Sequence, residues 1–567
     1  MPLASEEWRE GLMEGWWNYY WAPVGIAVAV VVIGSLRWAA KRGNVWWQES
    51  GLPEEMRRRL PPGDYGWPLI GNMWSFLSAF KSHDPDSFLR TFTNRYGGRG
   101  LYKALMFGRP SVFVTTPEAS KRVLMDDEAF KPGWPTSTVE LMGKNSFIGI
   151  SCEEHKRLRR LTATPVNGYE ALSLYMTFIG ENVVAALEEW SSAGEPLELL
   201  TQLRKLTFRI IMFIFLSSEC EDVMETLERQ YTTVNHGVRA MAINFPGFAY
   251  HRALKARKKV VDVLQLVLDE RRSRIKHEDG SGKKQLGKSK KVDMMDELMS
   301  VEDENGRKLR DEEIIDVLLM YLNAGHESSA HVTMWAMVLL HQHPDCLRKA
   351  REESEEVVKR RPTHQKGVLT LKEIRQMDYL SKVIDETLRF ITFSLVVFRE
   401  AKTNVDMSGY TIPKGWRVLV WFRGVHLDPE VYPNPRAFDP SRWDNLTPKA
   451  GTFLPFGAGS HMCPGNDLAK IEIAAFLHYF LVGYEARTRE SRVPLTVLAS
   501  PATKRQLFGS YQKDIATWVV ILLLLSIVIL CFLLGGREAH CTGLCLACYV
   551  VVRLMVLGYP NSVCETK

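Results

Sequence analysis

The stretch from Asp311 to Pro344, "DEEIIDVLLMYLNAGHESSAHVTMWAMVLLHQHP", restricts the fold more than any other part of the chain. Its acidic start suits a helix N-terminus, its long apolar body asks for burial, and its closing proline ends the pattern. These marks predict one long buried helix. Residues 180–350 as a whole follow the helical period. Up to about residue 120, helical and strand signals mix; "GLYKALMF" and "PSVFVTT", separated by Gly108-Arg109, predict a β-hairpin. The expected class is mainly α with small β sheets (α+β), and no internal repeat is evident. A chain of 567 residues exceeds the usual single core, so one large domain with attachments, or two or three domains, is expected.

Composition narrows the function classes. A net charge of +6 is small for this length, which argues against a nucleic-acid partner. Only Cys152, Cys220, Cys346 and Cys463 precede Ser500, and five of the nine cysteines follow residue 530. That spacing is no disulfide framework, so the main domain belongs in a reducing compartment. The run "RRSRIKHEDGSGKKQLGKSKK" (271–291) has no apolar face and is expected to be a solvated loop between helices.

Gly15 to Leu36 contains no charged residue across 22 positions, long enough as a helix to cross a bilayer. Glu6, Glu7 and Glu14 precede it while Arg37, Lys41 and Arg42 follow, so the N-terminus is expected outside and the main domain in the cytosol. The basic residues follow the apolar run and no small-residue cleavage pattern occurs, which favours an anchor over a signal peptide. A second uncharged run of 22 residues, Ile515 to Gly536, reads as a possible second transmembrane segment. Behind it Cys541, Cys545 and Cys548 have no close fourth ligand, and an apolar tail is favoured over a metal site. The expected domains are an anchor (1–45), a catalytic domain (46–498) and an atypical hydrophobic tail (499–567).

The chemistry centres on "FLPFGAGSHMCPGNDLAKIE" (453–472). Phe456, Gly459, Cys463 and Gly465 fit F-x-x-G-x-x-x-C-x-G, with Gly457 as a further glycine and a helix expected from about Asn466. Glycines let the backbone turn tightly and bring amide N–H groups near the sulfur. Those groups and the following helix N-terminus stabilise a thiolate. A lone buried cysteine is more often a small hydrophobe, but not in this surround.

The segment resembles the haem-binding loop of the cytochrome P-450 family, which implies the haem-thiolate fold, haem b as cofactor and Cys463 as axial ligand of the iron. Phe456 and Gly457 then flank the haem. The family usually has Arg two places before the cysteine; here it is His461, charged only part of the time near neutral pH. "HKRLRR" (155–160) resembles the helix that reaches a haem propionate, with Arg159 as the contact and His155 where many members have Trp. Arg399 in "VVFREA" matches another propionate contact. "ETLR" (386–389) and "FDPSRW" (438–443) match the family's supporting charge network of Glu386, Arg389 and Arg442. Singly, each basic residue reads as a surface charge, and an i,i+3 Glu/Arg pair is common on exposed helices.

"AGHESS" (324–329) resembles the oxygen-activation motif, with Glu327 as the acid and Ser328 in place of the usual Thr. The pair is expected to relay protons by general acid catalysis. The alternative is a polar helix interior bonding back to its own carbonyls. Gly325 is costly inside a helix, and close approach to haem and dioxygen is the expected reason for it.

"AFKPGWPTSTVELMGKNSFIGI" and "VNHGVRAMAINFPGFAYHRALKARKK" narrow the resemblance to the branch of the family that oxidises the plant diterpenoid ent-kaurenoic acid. That implies gibberellin biosynthesis, the endoplasmic reticulum membrane, a diterpenoid acid substrate and NADPH used through NADPH–cytochrome P-450 reductase. His236, Arg239, His251 and Arg252 could receive a hydrophobic acid or form a solvated face. A related triterpenoid or sterol hydroxylase and a haem-binding protein without monooxygenase activity stay open.

Overall fold

The run Arg417–Trp421 is buried at every position, as a strand covered on both faces must be. In the computed structural model it is the centre of a sheet. The model describes residues 27–484, apart from 29, 33, 83, 99, 194–196, 218–220, 281–292 and 362–368. The strands are β1 (Leu101–Met106), β2 (Arg109–Val114), β3 (Phe130–Pro132), β4 (Val396–Ala401), β5 (Val405–Met407), β6 (Tyr410–Ile412) and β7 (Arg417–Trp421). Five form one sheet in the order β1-β2-β7-β4-β3, and β5 pairs with β6. Side chains alternate between two cores, as the period of 2 requires. Leu101, Leu105, Val112, Val114, Val418 and Val420 enter one; Tyr102, Ala104, Met106, Phe113, Leu419 and Trp421 enter the other.

β1 and β2 form the predicted hairpin, pairing antiparallel from Leu101↔Val114 to Met106↔Arg109. Its turn is Phe107-Gly108, one residue earlier than the expected Gly108-Arg109, because Arg109 is already paired. Both turn residues have positive φ, +51° and +72°, as a two-residue turn matched to strand twist demands.

The helices that build the site are α1 (Cys152–Asn167), α2 (Leu199–Leu216), α3 (Glu221–Val238), α4 (Ala249–Gly280), α5 (Asp311–Gln342), α6 (Asp378–Ile391) and α7 (Asn466–Gly483). α5 is the predicted long helix. Twenty of its 32 residues are buried, so it is covered on most sides by its neighbours, α2, α4, α6 and α7 among them. At its start the Glu313 carboxylate accepts the Arg310 N–H at 2.8 Å, satisfying a donor the helix leaves open.

One expectation is corrected. Residues 271–280 are not loop but the last turns of α4. Arg271 is 7% exposed, pairs with Asp293 at 2.6 Å and Asp296 at 3.0 Å, and donates to the Leu216 carbonyl at 2.9 Å. Arg272 pairs with Asp311 at 2.7 Å. The run stays helical because these charges have partners. Residues 281–291 lie outside the described residues, as does most of the apolar run 15–36, although residues 34–49 are helical. The tail from residue 499 also lies outside them. Among the described residues, no helix is long and apolar enough to cross a membrane.

Candidate functional site

The cysteine loop is held by its own backbone. The Cys463 N–H donates to the Phe456 carbonyl at 2.9 Å. Gly457 and Gly459 have φ of +74° and +72°, where an L side chain is strained. At Gly459 a Cβ would also lie 2.4 Å from the Leu124 carbonyl oxygen, so only glycine lets the loop seat there; at Gly457 the space beyond is open. α7 starts directly after Gly465, as the sequence predicts. Asn167, the last residue of α1, donates its Nδ2–H to the Pro464 carbonyl, tying that helix to the loop. Burial pushes the Cys463 thiol up, against the pull of the Gly465 N–H and the Arg159 charge.

Four side chains from three distant parts of the sequence meet beside this loop. His155 and Arg159 come from α1, Arg399 from β4, and His461 from the short turn Gly459–His461. The rings of His155 and His461 lie 3.9 Å apart between centroids. Burial, then the Arg159 charge, pushes His155 down to about 4. Burial, then Arg399 and His155, pushes His461 down to about 3. Burial also lowers Arg399, which is 4% exposed, to about 10.

Among the described residues the Arg399 guanidinium has only the Phe398 carbonyl, at 3.4 Å, as hydrogen-bond partner. Asp127, 4.0 Å from His461 Nε2, is the carboxylate that offsets the cluster. Buried cations without counter-charge are costly. A haem held by Cys463 would bring two anionic propionates, the counter-charge that these cationic side chains call for, so the residues fit the group. When bound, it supplies the redox chemistry with the thiolate as donor.

α5 carries Ala324 to Ser328. The Ser328 hydroxyl donates to the Ala324 carbonyl at 2.6 Å. Glu327 is buried and gripped from two elements. Arg204 of α2 donates through Nε at 3.0 Å and Nη2 at 2.5 Å, and Arg239, just after α3, through Nη2 at 2.8 Å. Burial pushes this carboxyl up, but the Arg204 hydrogen bond and the two guanidinium charges outweigh it and hold it at about 2. A Cβ on Gly325 would meet Ile211 of α2 at 3.1 Å, so the close approach found there is by a neighbouring helix.

Glu386 and Arg389 of α6 are both wholly buried and joined by two hydrogen bonds, 2.9 and 2.7 Å. Arg442 Nε lies 3.4 Å from Glu386, and Arg389 also donates to the carbonyls of His426, Pro435 and Ala437.

The four residues weighed for a substrate acid have individual partners or face solvent. Arg239 reaches Glu327, whereas His251 bonds Asn244, Arg252 bonds the Gly247 carbonyl, and His236 is exposed. Sequence reasoning missed Arg204, which lies 123 residues from Glu327 with no motif to connect them, and Asp127. A groove of about 460 Å³ between α1 and residues 297–304 holds none of the candidate residues, and its Arg157 and Asp303 are paired at 2.6 Å.

The family profile described as Cytochrome P450 matches residues 61–506. Ent-kaurenoic acid oxidase 1 of Arabidopsis thaliana is 61% identical, over 84% of this chain and 96% of its own. A 7,8-epoxymelianol synthase of Ailanthus altissima is 51% identical, over 85% of this chain and 95% of its own. The solved structure of the cyanobacterial CYP120A1 with retinoic acid bound superposes with a TM-score of 0.65 at 25% identity, over 74% of this chain and 91% of that one. A profile match across the loop, the long helix and the buried Glu–Arg pair, with relatives this close over nearly their whole length, places the chain in the cytochrome P450 family of haem-thiolate monooxygenases.

Proposed function

We propose that this chain oxidises ent-kaurenoic acid in three steps to gibberellin A12. The observation that carries the reading is the 61% identity to ent-kaurenoic acid oxidase 1 of Arabidopsis thaliana across almost all of that enzyme. The second reading, a triterpenoid or sterol hydroxylase, draws on the lower 51% identity to the epoxymelianol synthase.

In this proposal Cys463 is the axial ligand, Phe456 and Gly457 flank the haem, and His155, Arg159, Arg399 and His461 take its propionates. Their convergence beside the loop supports that role. Glu386, Arg389 and Arg442 brace the loop. Glu327 and Ser328 move protons: Glu327 is held ionised, so it takes a proton from solvent before passing one on, and loosening of the Arg204 or Arg239 contact belongs to that step.

The proposal includes an N-terminal anchor in the endoplasmic reticulum membrane, a cytosolic catalytic domain and electrons from NADPH–cytochrome P-450 reductase. Exposed Trp38, Trp46, Trp47, Trp67 and Trp74 beside Arg37, Lys41 and Arg42 support a membrane contact, since indole rings favour the interface. The tail 499–567 enters the proposal as a possible second transmembrane segment, on its uncharged run Ile515 to Gly536.

Microsomes containing the chain and a plant NADPH reductase test the reading. Ent-kaurenoic acid should pass through a hydroxylated acid and an aldehyde to a diacid. Turnover of a triterpenoid but not of this acid favours the second reading. A reduced-CO spectrum of thiolate-ligated haem without any product points to a haem-binding protein instead.

A further inference from the structure

One carboxylate outside the described motifs joins three parts of the fold. Asp316 of α5 is 4% exposed. Its Oδ2 accepts both the backbone N–H and the Nδ2–H of Asn145, each at 3.0 Å. Its Oδ1 accepts Nη2–H of Arg257, from α4, at 2.6 Å. Gly143 opens the loop with φ of +102°, and a Cβ there would lie 2.1 Å from the Asp316 carboxyl carbon. Loop and carboxylate therefore interlock: no larger residue fits at 143 while Asp316 stays in place.

Two residues beyond Asn145, Phe147 is 6% exposed. Its ring lies over Tyr321, five residues further along α5, with centroids 5.4 Å apart and planes at 27°. It also makes an edge-to-face approach to the His155 ring at 5.4 Å. His155 in turn lies 3.9 Å from His461. A chain of contacts thus runs from the α4 guanidinium through Asp316, the loop and Phe147 to the imidazole beside the cysteine loop.

We propose that Asp316 is a positioning residue: by fixing the loop 143–147 it presses Phe147 against His155 and so sets that imidazole at the haem edge. Among the described residues, the polar partners of Asp316 are Asn145 and Arg257, outside the cysteine loop and the cationic cluster, so it acts on them through the loop 143–147. The proposal rests on the reading of His155 as a haem contact.

The test uses the full chain with haem bound and follows the rate of haem transfer to excess apomyoglobin. Asp316→Ala should raise that rate about fivefold, a typical coupling for residues in one network. Asp316→Asn keeps an oxygen for the Asn145 N–H but loses the ion pair, and should fall between; Arg257→Gln should resemble it, which keeps the test open if the alanine variant does not fold.

The discriminating readout is the pair with Phe147→Leu. With the ring cut back, Asp316→Asn should add nothing further to haem loss, while it still lowers the urea midpoint. A role confined to stability would instead speed haem loss equally in both backgrounds, and that result overturns the proposal, as does a wild-type rate in Asp316→Asn and Arg257→Gln. His155→Leu separates the two levels. If it speeds haem loss and the Asp316 variants do not, the link fails and the haem-site reading stands. If it has no effect, that reading falls and takes the proposal with it.

Discussion

Replacing Arg389 with methionine should destabilise the haem-bound protein by about 3–5 kcal/mol, the range for stranding one partner of a buried ion pair. The structure sets out why. Glu386 and Arg389 are each 0% exposed, so neither charge can turn to water. The guanidinium donates to Glu386 at 2.9 and 2.7 Å, and to the carbonyls of His426, Pro435 and Ala437 at 2.9, 2.8 and 3.2 Å. It also lies 5.2 Å from the centroid of the Tyr432 ring. Without it, Glu386 keeps, among the described residues, the Asp439 N–H at 3.1 Å and the Arg442 guanidinium at 3.4 Å, and three carbonyls lose a donor.

The double variant Glu386→Gln, Arg389→Met removes the stranded charge as well as its partner. It should recover about 2 kcal/mol of the loss, because a buried pair replaced on both sides costs far less than a pair broken on one side. Urea unfolding is followed by tryptophan fluorescence and, in parallel, by the reduced-CO absorbance of thiolate-ligated haem. If the single and double variants unfold within about 0.5 kcal/mol of each other, stranded charge is not the cause. The network would then act through packing alone.

Three further outcomes follow from the same geometry. Cys463→Ser should abolish the reduced-CO absorbance of thiolate ligation and all turnover, because a neutral hydroxyl cannot replace an anionic ligand; difference spectroscopy of the variant checks it. Glu327→Ala or Ser328→Ala should keep haem and substrate binding while product formed per NADPH falls about ten- to a hundredfold, measured by product and peroxide assay side by side. Glu472, wholly buried on α7, has its carboxyl raised by burial from 4.5 to about 8 despite its Ser329 hydrogen bond. Its proton-linked stability is fully present below the ordinary value and is lost as pH rises through the raised one, so Glu472→Gln should gain on wild type by order 4 kcal/mol at pH 8 and by nothing at pH 4, read from urea midpoints.

What the sequence revealed and what it hid divide by distance along the chain. The cysteine loop, α5 and the Glu386–Arg389 pair are each contiguous patterns whose chemistry is spelled out within a few turns. The misread parts depend on partners elsewhere. Residues 271–280 look like a solvated run until Asp293, Asp296 and Asp311 are set beside Arg271 and Arg272. The protein neighbour of Gly325 is just as distant in sequence: a Cβ there would meet Ile211 at 3.1 Å, 114 positions away and without any spacing to suggest it. Arg204 and Asp316 are ordinary charges in the sequence; only the packing of α2, α4 and the loop at 143–147 against α5 gives them partners.

The histidines show how two apparent departures can be one. In the sequence, His155 for the usual Trp and His461 for the usual Arg are separate substitutions 306 positions apart, each weakening the match at a propionate contact. In the fold the two rings lie 3.9 Å apart. A full-length Arg at 461 would place a permanent charge against a cluster that already holds Arg159 and Arg399, with Asp127 as the opposing carboxylate. Two imidazoles, whose charged forms burial disfavours, add less positive charge there than an Arg would while each keeps an N–H to donate. Restoring only one side therefore leaves the other mismatched: His461→Arg alone adds charge without removing the His155 ring, and the pair His155→Trp, His461→Arg should bind haem better than either single change. Haem-transfer rates of the three variants test this, and strictly additive effects would mean that the two histidines are independent after all.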